Sequence, residues 1–152
     1  MLGYARTKLA ALGPGKAQVR HGDLYSLPLT ESAADLVVMH QVLHYLSDPA
    51  AAIQEAARVL LPGGRLLIVD FAPHTLEFLR EAHAHERLGF ASNQVAQWLS
   101  DAGLQPMPAR KLPPPAGTGG DMLTVSIWQA RKPDPSSGSR RRAQSALEEI
   151  RR

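Results

Sequence analysis

The sequence predicts an α/β sandwich on a mostly parallel sheet, and two observations carry that prediction. First, Asp35-Leu36-Val37-Val38-Met39 and Arg65-Leu66-Leu67-Ile68-Val69-Asp70-Phe71 are continuous apolar runs after polar starts. Such runs mark strands covered on both faces. Second, an amphipathic helix lies between them. Asp48 can cap it, Pro49 suits its first position, and Ala52, Ile53, Ala56, Ala57 and Leu60 form one stripe. Pro62-Gly63-Gly64 stops it. Strand, helix and strand in this order make a right-handed βαβ unit.

The remaining elements follow from the same periodicities. Leu2 to Leu12 has helical spacing and ends at Gly13-Pro14-Gly15. Gln18 to His21 is expected as a short strand. Thr75 to His85 is expected as a helix with Leu76, Leu79 and Ala82 inward, and Ser92 is expected to cap a helix running to Ala102, closed by Gly103. Leu104 to Leu112 is strand-like but broken by Pro106 and Pro108, which suits a sheet edge. Pro113 to Gly120 is a loop, and Met122 to Trp128 is the last strand, giving an antiparallel C-terminal hairpin. The globular domain is expected over residues 1–131. Residues 132–152 are expected as a disordered Pro/Ser/Gly linker and basic tail.

Composition narrows the function classes. Apolar residues make up 44% of the 152, an ordinary globular share. Aromatics are 5%, too few for a stacking platform on single-stranded nucleic acid. No cysteine is present, so disulfides, thiolate metal sites and cysteine nucleophiles are excluded. Of the 17 basic and 14 acidic residues, seven and three lie from Arg131 onward. The tail therefore carries +4 and the body −1, so the basic character is no property of the body. Nucleic-acid binding is not expected. Neither a secretory signal nor a membrane-spanning window is visible, and a soluble cytoplasmic protein is the expectation.

Three stretches, taken together, carry a family resemblance. They are His21-Gly22-Asp23-Leu24-Tyr25-Ser26-Leu27-Pro28, Ala34 to Leu46, and Ala56-Ala57-Arg58-Val59-Leu60-Leu61-Pro62-Gly63-Gly64 with the following strand to Asp70. In order and spacing they resemble the motifs that follow the cofactor loop in class I S-adenosylmethionine-dependent methyltransferases of type 11. The run Leu79 to Phe90 is similar to bacterial methyltransferase domains fused behind ArsR-type repressors. The resemblance covers Met1 to about Arg131. It implies a Rossmann-like sheet of order 3-2-1-4-5-7-6 with strand seven antiparallel, and S-adenosylmethionine as cofactor.

Mapped onto that order, Gln18–His21 is strand three, and the Asp35 and Arg65 runs are strands four and five. The Leu104 and Met122 runs are strands six and seven. No Gly-x-Gly-x-Gly loop stands in the sequence. The expectation is therefore a domain truncated at its N-terminus, with strands one and two missing and strand three unpaired. Residues 1–30 would then be loosely held. Strand four would be an open edge suited to self-association.

The resemblance implies cofactor contacts for Asp23, at the adenine amino group, with the Leu24 backbone beside it. It implies one for His40, by the methionine part. Asp23 also reads as a plain turn residue after Gly22. His44, four residues after His40, would share a helix face with it and is the candidate catalytic base, or a partly buried structural histidine. Asp70 and His74 flank the end of strand five, where a substrate would sit. His83 and His85, two apart on a helix, point about 200° from one another and would not chelate one ion, so no metal is expected. The implied activity is methyl transfer to a small molecule. A regulatory module of an ArsR-type regulator and an inactive remnant are the alternatives.

Overall fold

The computed structural model describes residues 2–115 and 122–136. The predicted tail from Arg140 and most of the loop before Met122 lie outside the described residues. In chain order the elements are α1 (Leu2–Ala10), β1 (Ala34–His40), a 3-10 turn (Leu43–Tyr45), α2 (Pro49–Val59) and β2 (Leu60–Phe71). Next come α3 (Phe78–His83), α4 (Ser92–Asp101), β3 (Gln105–Pro106), β4 (Arg110–Leu112) and β5 (Val125–Arg131).

The sheet runs β1-β2-β5-β3, with β4 also on β5. β1 and β2 are parallel, with Leu36 opposite Arg65 and His40 opposite Val69. β5 is antiparallel to β2, pairing Asp70 with Ser126 and Ile68 with Trp128. This is the 4-5-7-6 part of the order that the resemblance implies.

α2 forms where expected because its start is fixed locally. Asp48 accepts a bond from the Ala51 amide at 3.0 Å, and Pro49 fills the first position. Its stripe of Ala52, Ile53, Ala56 and Ala57 packs with Val95 and Leu99 of α4 against Met39, Leu66, Ile68, Trp128 and Ala130 of the sheet. That single layer contact is the core. On the other sheet face Leu36 and Val38 remain 55% and 50% exposed. β1 forms an edge among the described residues.

Lys132, assigned by its composition to a linker, belongs to the domain. Its ammonium donates to the carbonyls of Ala57 and Leu60 at 2.8 Å each, satisfying orphan acceptors at the end of α2. Its backbone exchanges bonds with Gly63 and Gly64 at 2.9 Å. Gly64 is needed there because a Cβ would lie 2.9–3.2 Å from the carbonyl oxygens of Leu61, Asp35 and Ala34.

Several expectations require correction. Gln18–His21 is no strand: it pairs with nothing, and no hydrogen bond or ion pair ties residues 2–22 to the remaining described residues. The loosely held segment nevertheless ends earlier than Thr30. Tyr25 reaches Ser47 and Asp48, Glu55 accepts from the Leu27 amide at 2.7 Å, and Arg58 donates to the carbonyls of Leu27 and Leu29. The polar face of α2 thus holds residues 23–29.

The expected helix Thr75–His85 shrinks to Phe78–His83, with Leu79 buried but Ala82 exposed. Ala84 adopts φ +55°, so the chain leaves the helix there and His85 turns inward. Ser92 is the first helical residue of α4 rather than its cap, and Ala91 stands at the cap without a side-chain bond. The run Leu104–Leu112 splits into β3 and β4, as its two prolines cannot donate to the ladder. The last strand begins at Val125 rather than Met122.

Gly89 has φ +80°, and a Cβ there would collide with the Ala72 carbonyl. Its neighbours are held by two backbone bonds, from Phe90 to Phe71 and from His74 to Leu88. Gly89→Ala is predicted to lower stability by about 3 kcal/mol or more, from left-handed strain plus overpacking. Urea denaturation measures this; an unchanged midpoint would show that the segment relocates freely.

Candidate functional site

The chain turns sharply where β1 ends. Gln41 takes φ +49° and its amide donates to the Val69 carbonyl at 2.7 Å, so β1 and β2 finish side by side. The 3-10 turn then drops Leu43 and His44 beneath the end of β2, and both are buried. Asp70, on the β2 side facing the helices, meets them there.

Asp70 is 0% exposed, and its carboxylate is held by three N–H groups. The Leu43 amide donates to Oδ2 at 3.0 Å, and the Phe71 amide to Oδ1 at 2.8 Å. Oδ1 also meets His44 Nδ1 at 2.7 Å. Three donors around one buried carboxylate are what its desolvation demands.

An aromatic box closes on this pair. The His44 ring lies 4.1 Å, centroid to centroid, from both Tyr45 and His85, and 5.1 Å from Phe71. His85 is stacked on Phe71 at 12° between planes, and His74 stands edge-on to Phe71. A strap of residues 84–88 fastens the box. The amides of Glu86 and Arg87 both donate to the His44 carbonyl, and the Arg87 side chain donates to the carbonyls of Leu46 and Ser47.

Two ring nitrogens, His74 Nε2 and His85 Nδ1, are sealed from solvent with no hydrogen-bond partner. Both rings are held below the ordinary histidine value of 6.5, first by desolvation and then by the neighbouring His44. They are therefore neutral near pH 7.

The structure brings together three of the residues singled out by sequence: His44, Asp70 and His74. It corrects their arrangement. His40 ends β1 and is exposed, whereas His44 sits in the 3-10 turn, so they share no helix face. Asp70 is sealed, with both carboxylate oxygens hydrogen-bonded inside the fold. His83 is exposed and His85 buried.

Asp23 lies apart from the box, in a turn of its own. Its Oδ1 accepts from the Tyr25 amide at 2.9 Å, and its carbonyl accepts from the Ser26 amide. The carboxylate is exposed, and Oδ2 makes no hydrogen bond among the described residues. Leu24 is half-buried against the core. His85, Tyr45 and Phe71 were missed. The available signal was a histidine-rich stretch ending in Gly89-Phe90, but the helical reading of Thr75–His85 pointed His85 the wrong way.

Comparison with known proteins decides the family. Residues 1–68 match the methyltransferase domain model. A probable S-adenosylmethionine-dependent methyltransferase of Mycolicibacterium smegmatis is 33% identical over 132 residues, covering 76% of this chain and 48% of that protein. The chain carries a domain of the class I S-adenosylmethionine-dependent methyltransferase family. The uncharacterised protein YafE of Escherichia coli is 32% identical over 130 residues, covering 78% of this chain and 58% of its own length. The chain thus spans about half the length of these relatives. Among solved structures, YcgJ of Bacillus subtilis superposes with a TM-score of 0.69 at 19% identity, over 88% of this chain and 79% of that one. A methyltransferase-like protein of Bacillus halodurans gives 0.67 at 20% identity, over 87% and 78%. These share the methyltransferase fold. The ArsR-type alternative draws no support from these relatives.

The sealed histidines make stability depend on pH. The unfolded chain takes up protons near 6.5, while folded His74 and His85 resist them, so the unfolded state binds more protons below that value. Stability is predicted to fall as pH drops through about 6.5, seen as a lower urea midpoint at about pH 5 than at about pH 7.5. His85→Leu should flatten part of that slope. An identical slope in the variant would show that His85 titrates normally in the fold.

Proposed function

We propose that this domain contributes to methyl transfer from S-adenosylmethionine to a small molecule. The observation that carries the reading is the sheet order, parallel β1-β2 followed by antiparallel β5, with the chain's only 3-10 turn among the described residues at the strands' C-terminal ends. Open α/β sheets take ligands outside those ends. The relatives support the cofactor: the M. smegmatis protein is named for it, and geranyl diphosphate C-methyltransferase of Streptomyces coelicolor, with a TM-score of 0.70 at 14% identity, was solved with S-adenosyl-L-homocysteine.

The residues fit part of the cofactor. Asp23 offers a free, exposed carboxylate oxygen for the adenine amino group, with the Leu24 backbone beside it. His40, exposed at the tip of β1, would face the methionine part. The bound sulfonium supplies an electrophilic methyl group, and the protein's work is to hold the acceptor in line with it and keep water out. Asp70 and His44 lie behind this rim, in the buried box.

The chain holds no Gly-x-Gly-x-Gly stretch to bring backbone against the cofactor. Binding by the 152-residue chain is accordingly predicted to be weak, at about millimolar affinity. Amide chemical-shift changes on adding S-adenosylmethionine should concentrate at Asp23, Leu24 and His40. Asp23→Ala should weaken them by about fivefold to tenfold, the worth of one hydrogen bond. Shifts confined to other regions, or none at all, would overturn the assignment.

A further inference from the structure

We infer that Glu55 and Arg58 are positioning residues: side by side on α2, they grip the backbone of residues 27–29 and so fix the turn that presents Asp23. The inference rests on the cofactor reading above, in which Asp23 meets the adenine amino group, and adds the pair that sets Asp23 in place.

Residues 23–29 belong to no helix and no strand of the sheet, and Asp23 and Ser26 bridge only one another. A segment of this kind is ordered by the partners that its amides and carbonyls find. Glu55 and Arg58 supply them. Glu55 Oε1 accepts from the Leu27 amide at 2.7 Å. Arg58 Nη2 donates to the Leu29 carbonyl at 3.0 Å and to the Leu27 carbonyl at 3.4 Å. One acceptor and one donor thus meet the N–H and C=O of the same residue, as a neighbouring strand would. The grip is on backbone alone.

The pair is rigid enough for the task. Arg58 Nε donates to Glu55 Oε2 at 2.8 Å and Nη2 to Oε1 at 2.7 Å, a two-pronged contact that fixes both side chains. The Glu55 side chain is 11% exposed. The guanidinium beside it holds its carboxyl below the ordinary 4.5, and Glu55 in turn raises Arg58, so both are charged at neutral pH. An ion pair three residues apart on a helix adds little stability by itself. This one has its remaining hydrogen-bonding capacity turned to the loop.

Ties on either side carry the grip to Asp23. The Asp48 amide donates to the Tyr25 hydroxyl at 3.2 Å, and the Ser32 and Ala33 amides donate to the Arg58 and Val59 carbonyls at 3.2 and 2.8 Å. The loop is thereby fastened along α2 from its cap to its last residue, with Glu55 and Arg58 at the middle. Asp23 stands two residues before Tyr25 and turns Oδ1 back to the Tyr25 amide at 2.9 Å, which leaves Oδ2 outward. Leu24 also packs against the core, but an apolar contact is non-directional and cannot aim the neighbouring carboxylate. The hydrogen bonds can.

Amide hydrogen exchange and chemical shifts of the full chain test this without any ligand. In the wild type the Leu27 amide should exchange about tenfold or more slowly than that of His21, which has no tie. Glu55→Ala should remove that margin while Ile53, on the buried side of α2, stays protected. The double variant Glu55→Arg with Arg58→Glu separates positioning from a plain helix ion pair. It restores the attraction along the helix but turns a cation to the Leu27 amide and a carboxylate to the carbonyls. Leu27 should therefore stay fast, and the Asp23, Leu24 and Tyr25 amides should stay displaced. Wild-type Leu27 exchanging as fast as His21 would overturn the proposal with no variant needed, and so would recovery of the loop in the double variant. With S-adenosylmethionine added, the response at Asp23 and Leu24 should need about tenfold more ligand in the double variant than in the wild type. An equal response would also overturn the proposal. A wild type with Leu27 protected and no response to the cofactor is a failure of the cofactor reading alone.

Discussion

The end of the sheet depends on one buried charge. Asp70 stands in the last turns of β2 with no exposure, where an unpaired carboxylate would be prohibitive. Its partners come from both sides of a sequence gap of 26 to 27 residues: His44 and Leu43 from the turn after β1, and Phe71 from its own strand. The carboxylate is therefore what decides where the chain goes after β1. Once Leu43 is fixed, its side chain fills the core at 0% exposure, α2 starts at Asp48, and the strap of residues 84–88 finds the His44 carbonyl to bond. Removing one partner of such a group costs more than the bond itself, because the others are left holding a desolvated charge.

The packing is asymmetric. α2 and α4 bury one face of the sheet, and the tie at Lys132 joins the end of α2 to the end of β5 through the Gly63-Gly64 turn. The other face keeps Leu36 and Val38 half exposed on an edge strand. An apolar edge of this kind pairs readily with a further strand, whatever supplies it. That face is the one that the described helices leave uncovered.

Sequence made legible the parts whose cause is local. The Asp35 and Arg65 runs are strands because nothing else accommodates such apolar continuity, and α2 is announced by a cap, a proline and a stripe within eleven residues. The site was legible by residue and not by geometry. His44, Asp70 and His74 were visible as histidines and a carboxylate near strand ends. Their union depends on Gln41 and Ala84 adopting left-handed backbone, which neither residue type advertises. A helix assumed to run on through Ala84 sends His85 to solvent; a helix that stops there brings it onto His44. Gln18–His21 failed for the opposite reason, since strand character is conferred by a partner and none adjoins it.

The box also explains why so many histidines are tolerated in one place. The His44 and His85 rings lie 4.1 Å apart and His74 stands edge-on to Phe71, and desolvation holds His74 and His85 below the ordinary histidine value. The third ring, His44, is held differently: Asp70 bonds its Nδ1 at 2.7 Å, and the His85 ring lies over it at 4.1 Å, tilted by 34°. The box is thus tied together by one hydrogen-bonded imidazole, and the two rings beside it cost least in the uncharged form that burial imposes on them.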